Sequence, residues 1–79
     1  MTPSVIERIR AERAEQDRRF GRQDHQDTYW LAILVEEVGE VAAELQAPGP
    51  FDADRIERLK KELVQCAAVS VAWLEALEE

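Results

Sequence analysis

Five side chains carry oxygen ligands at spacings that suit a hard cation. Glu36, Glu37 and Glu40 lie within "LVEEVGEVAAEL", residues 34–45, a run otherwise mostly Leu, Val and Ala, and Glu62 and Gln65 follow in "ELVQ". On a helix, Glu37 and Glu40 share a face one turn apart, as do Glu36 and Glu40, and Glu62 with Gln65 repeats the i, i+3 relation. Like charges so placed repel, and no Lys or Arg lies between Gln23 and Asp54 to compensate. The arrangement costs stability unless something positive binds. Oxygen-only ligation without His or Cys favours Mg²⁺ or Mn²⁺ over zinc.

Three helices can position these groups. Thr2 and Pro3 suit a helix start, with Ser4 and Glu7 as an alternative capping box, and the first helix runs to about Gly21. Its apolar positions are few (Val5, Ile6, Ile9, Phe20), so it packs through a narrow stripe, and its Arg/Glu mixture reads as a solvated face. "GRQDHQD" reads as a loop closed by Asp27 or Thr28 as the cap of a second helix, which runs to about Gln46. "APGPFD" breaks it, and Asp52 or Asp54 caps a third helix running almost to the C-terminus. If these two helices form an antiparallel hairpin, Glu40 and Glu62 stand roughly 9 Å and 12 Å from the turn. The Glu37/Glu40 and Glu62/Gln65 pairs then face each other at one level. The fold expected is all-α, a helical hairpin plus an N-terminal helix, in a single domain over residues 1–79.

Composition narrows the function classes. The chain has 79 residues, 46% hydrophobic and 34% charged, with a net charge of −7. The stretch from Gln23 to Asp54 holds eight acidic residues and no basic one, which argues against binding a nucleic-acid polymer. The lone Cys66 cannot form an internal disulfide, and no stretch resembles a signal peptide or a membrane span, so a cytoplasmic protein is expected. Between Leu63 and Leu74 the third helix is apolar almost all round, and the second carries a similar surplus. Such helices need burial on all sides, more than a chain of this size supplies. A homo-oligomeric helical bundle follows, a dimer or a dimer of dimers.

"EEVGE" (36–40) followed by "ELVQ" (62–65), with "DTYWLAILVEEVGEVA" and "LKKELVQCAAVSVAWLEAL" around them, resembles the EExxE…ExxD signature of the MazG-like, all-α nucleotide pyrophosphohydrolase superfamily, over roughly residues 16–77. The resemblance implies a Mg²⁺-dependent enzyme that splits a nucleoside triphosphate into a monophosphate and pyrophosphate, in house-cleaning or nucleotide-pool control. It assigns metal ligation to Glu37, Glu40 and Glu62, and to Glu36 the holding or deprotonation of the attacking water. The family's fourth position is Asp, whereas here Gln65 offers only a neutral carbonyl oxygen. The segment that contacts phosphates in longer relatives lies beyond Glu79, which leaves that task to Lys60, Lys61, Arg19, Arg22 or a neighbouring subunit. Gln65 and the short C-terminus also fit a weak or inactive nucleotide-binding or helical interaction module. Phosphoribosyl-ATP hydrolysis, which shares the fold, is a further alternative.

The remaining site residues each have two readings. His25 sits over the metal site or contacts the nucleotide, against an exposed loop position. Tyr29 and Trp30 stack on a base, against core packing for Trp30, and Trp73 reads as core or interface. Lys60 and Lys61 touch phosphate, against an ordinary solvent-facing position.

Overall fold

The computed structural model describes residues 1–79 and contains three helices and no strand: α1 Pro3–Phe20, α2 Asp27–Gln46 and α3 Ala53–Glu78. Thr2 Oγ1 accepts from Val5 N at 3.4 Å and Pro3 takes the first position of α1, so Thr2 is the cap. Gly21, at φ 66°, closes the helix by donating from its backbone N–H to Asp17 O at 2.9 Å. Arg18 and Arg19 in the last turn suit the negative end of the helix dipole.

The start of α2 differs from expectation. Gln26 is its N-cap and makes no side-chain capping bond, while Asp27 is the first helical residue. The reason is tertiary. Asp27 Oδ1 accepts from Trp73 Nε1 at 2.9 Å, tying the beginning of α2 to the end of α3. At the other end of the hairpin, Asp52 caps α3 by accepting from Arg55 N at 2.9 Å. Arg55 is only 6% exposed and donates to Pro48 O at 2.7 Å and Gly49 O at 3.3 Å, which clamps the turn. Gly49 itself adopts φ 107°, a conformation that disfavours any side chain.

α3 is the central element. It packs against both α2 and α1, whereas α1 and α2 come nowhere within 8 Å of each other at Cα. Trp30, Val69 and Ala72 form the core, with Ile33, Leu34, Trp73 and Ala76 packed around them, and Ala68 is fully buried. α1 is held by Arg13, which bonds Glu75 at 2.8 Å and Asp17 at 3.0 Å, and by Arg8 to Glu57 at 3.8 Å.

That core is small, and much apolar surface stays outside it. Leu31, Val35, Val38 and Leu45 of α2 and Leu63, Leu74 and Leu77 of α3 are all at least half exposed. Spacings of four, three and seven residues on α2, and of eleven and three on α3, place each set on one stripe of its helix. On α3, Leu74 and Leu77 turn away from Glu57 and Glu75, the residues that bind α1, while Leu63 borders a groove with Val5 and Ile9 of α1. No helix is long and apolar enough to cross a membrane.

Candidate metal centre

Glu37 and Glu40 of α2 meet Glu62 of α3, each offering a carboxylate oxygen, with these oxygens within 4.8 Å of one another. The hairpin register brings them together, because the clamped turn sets both helices at a common height. Glu37 also borders α1, through the charge of Glu12 and a groove shared with Gln16 and Phe20. Burial raises the Glu37 pKa above its ordinary value, reinforced by the charges of Glu40, Glu12 and Glu36. Glu62 is raised as well, by burial first, then by a hydrogen bond with Glu40 and the charges of Glu40 and Glu37, with Lys61 opposing.

Gln65 belongs to the same cluster. With its amide nitrogen turned towards the carboxylates, it donates to Glu37 Oε2 and Glu62 Oε2, each at 3.2 Å. Rotating that amide by half a turn presents its carbonyl oxygen instead, the orientation that ligation needs. Crowded carboxylates with raised pKa values, an amide able to offer oxygen, and no cation among them form a donor set that fits a hard divalent ion. Cys66 lies one residue on, and its thiol is pushed up by burial and then by the charges of Glu37, Glu62 and Glu40.

The other sequence-predicted residues are dispersed. Glu36 is exposed and lies outside the three-carboxylate cluster, although its charge is felt at Glu37. Lys61 stands near Glu62 and lines a shallow groove with Arg8, Glu12 and Glu57. Lys60 bonds Glu57 at 3.3 Å and lines a different groove, with Val5, Ile9 and Leu63. Arg22 pairs with Glu79, and Arg19 lies over the Phe20 ring at 4.8 Å. His25 packs against Tyr29 and edge-on to Trp30, with ring centroids 4.6 and 4.9 Å apart. Trp30, at 2% exposed, is core, and its faces are closed to stacking.

Two groups near the site escaped the sequence reading. Glu12 of α1 adds its charge to the environment of Glu37. Gln16, one turn further on, shares a groove with Glu37. The available signal was spacing, since Glu12, Gln16 and Phe20 continue the apolar stripe of Ile9 at three- and four-residue steps with polar groups in apolar places. Comparison with protein-family models, curated proteins and solved structures found no match.

Proposed function

We propose that the chain is a Mg²⁺-dependent nucleoside triphosphate pyrophosphohydrolase of the MazG-like kind, releasing a nucleoside monophosphate and pyrophosphate. The observation that carries this reading is the convergence of Glu37, Glu40 and Glu62 within 4.8 Å, with no basic residue among them. These three carboxylates would hold the ion, with Gln65 turning its carbonyl oxygen inward. When bound there, the ion would supply charge neutralisation on the phosphates, the main demand of phosphoryl-type displacement. Glu36, exposed at the edge of the cluster, takes a proton from water as the water oxygen adds at phosphorus and the bridging P–O bond between the α and β phosphates breaks. Lys61 is the one proposed phosphate contact on the site's own side. A second copy of the chain covers the apolar side of the hairpin, making the working unit a homodimer or a dimer of dimers.

A second reading, a nucleotide-binding module with little turnover, draws on Gln65. With its nitrogen turned inward its amide bridges Glu37 and Glu62, and it lacks the negative charge an Asp would bring. Pyrophosphate release from a panel of ribo- and deoxyribonucleoside triphosphates with Mg²⁺ or Mn²⁺ decides between them. Release by the wild type that is abolished in Glu40→Gln supports the enzyme. A silent wild type revived by Gln65→Asp supports the binding module, and silence from wild type, Glu40→Gln and Gln65→Asp alike overturns the hydrolase.

A further inference from the structure

α1 is attached differently from the other two helices. It holds no buried residue and packs only on α3, with no Cα of α2 within 8 Å. Four grooves, of about 350, 380, 230 and 460 Å³, are each lined in part by its residues, so little close packing joins it to the hairpin. Val5 and Ile9 lie beside Leu63, Val64 and Ala67, while Phe20 stays 54% exposed. α2 and α3, by contrast, share the core of Trp30, Val69 and Ala72, the bond between Asp27 and Trp73, and the Arg55 clamp. A segment with few buried apolar contacts opens at a lower free energy than the core.

Charge therefore carries much of the attachment, and it does so unevenly. Arg8 with Glu57, at 3.8 Å, and Arg22 with Glu79 are exposed pairs of the kind worth little. Arg13 is only 17% exposed; its Nε donates to Glu75 Oε1 at 2.8 Å and its Nη2 pairs with Asp17 at 3.0 Å, so this guanidinium ties α1 to α3 where water screens it least. The residue before it opposes the attachment. Glu12 is half-buried and its charge is felt at Glu37. It has no ion pair of its own, since Arg8 and Arg13 are engaged by Glu57 and Glu75 and Lys61 only shares a groove with it. A cation among Glu37, Glu40 and Glu62 would turn that repulsion into attraction.

We propose that α1 is a clasp that opens from an intact hairpin, held by Arg13, pushed off by Glu12 against Glu37, and drawn shut when a divalent cation occupies the carboxylate cluster. Opening bares Glu37 on the side bordered by Gln16 and Phe20. By linkage, docking of α1 strengthens cation binding by the same factor as the cation strengthens docking. Only the cation-driven closure rests on the metal-centre reading; the balance of Arg13 against Glu12 stands without an ion.

Hydrogen exchange followed by NMR on the full chain reads the clasp directly, because most helical stability comes from packing and a released α1 loses protection in water. The readout is the exchange rate of the backbone amides from Ile9 to Asp17, set against those of Val69 and Ala72 as the reference for the hairpin. In the metal-free chain the α1 amides should exchange faster than the reference. Arg13→Gln should raise their rate about tenfold, the loss expected of a charged hydrogen-bonding group, with the hairpin amides unchanged. Glu12→Gln should lower it about twofold, the scale of one like-charge contact removed. Mg²⁺ at constant ionic strength, its binding measured by calorimetry, should slow α1 exchange about threefold in the wild type and less in Glu12→Gln. α1 amides that exchange together with Val69 and Ala72, or that ignore both substitutions, overturn the clasp. Mg²⁺ that binds without slowing α1 overturns the cation-driven closure and leaves the metal reading intact. Absence of Mg²⁺ binding, with Arg13→Gln and Glu12→Gln behaving as expected, overturns the metal reading and supports the clasp.

Discussion

Glu37 and Glu62 hold their protons more tightly than carboxylates in the unfolded chain, because burial and neighbouring acids both oppose ionisation. Between the ordinary value of 4.5 and the raised folded-state values, the folded chain therefore binds more protons than the unfolded one. Stability contributed by these groups is present at and below that ordinary value and is lost as pH rises through the raised values. A cation that binds the ionised cluster should recover the loss, so the gain in melting temperature with Mg²⁺ should grow from pH 5 to pH 7. A thermal-shift series with and without chelator checks this, and a gain independent of pH would place the ion elsewhere. Glu62→Gln removes one like charge at a cost relief of about 0.5 kcal/mol, so the metal-free melting temperature at pH 7 should rise by about 2–4 °C. The same substitution should abolish the Mg²⁺ response. Gln65→Asp adds back a charged ligand and should tighten Mg²⁺ binding on the order of tenfold, measured by calorimetry.

The elements depend on a turn that carries more than its length suggests. Asp52 caps α3 and Arg55 closes on the carbonyls of Pro48 and Gly49, so the register that aligns Glu40 with Glu62 is set there. Asp52→Ala should cost about 1 kcal/mol, or roughly 4–8 °C in melting temperature. Arg55→Ala, which leaves two carbonyls without their charged donor, should cost about 2 kcal/mol in urea melts. Three helices, the breaker at "APGPFD" and the level pairing of Glu40 with Glu62 were all legible, because helical period and turn chemistry are local. What was not legible is tertiary. Asp27 reads as a cap until Trp73 from the far end of α3 claims its carboxylate. Arg55 looks like one more surface cation, and Glu12 only becomes a neighbour of Glu37 once α1 is laid beside the hairpin. Spacing along one helix specifies a face and says nothing of which partner that face meets.

At the scale of the whole molecule, the proposed second copy would cover the unused apolar side of the hairpin. Specific interfaces bury on the order of 800 Å² per partner. Six large aliphatic side chains away from the α1 groove, Leu31, Val35, Val38, Leu45, Leu74 and Leu77, each at least half exposed and with small residues between them, offer apolar surface of that order. No charged residue interrupts the α2 stripe, and "VGEVAA" puts Gly39 and Ala42 along it. Gly39 is in keeping with that proposal. A glycine inside a helix costs about 1 kcal/mol relative to alanine, and a Cβ added here would meet nothing within 4 Å in the chain. Folding of one copy alone therefore gives no reason for it, whereas close approach of a partner helix does. Val35→Glu should yield a monomer by light scattering, since it buries a charge at the centre of the seam. In that monomeric background Gly39→Ala should stabilise by about 1 kcal/mol through helix propensity. In the native chain the same change should weaken the dimer, because the added methyl holds the two α2 helices apart. A native chain that is monomeric, or one whose dimer is indifferent to Gly39→Ala, would return the stripe to the status of bare surface.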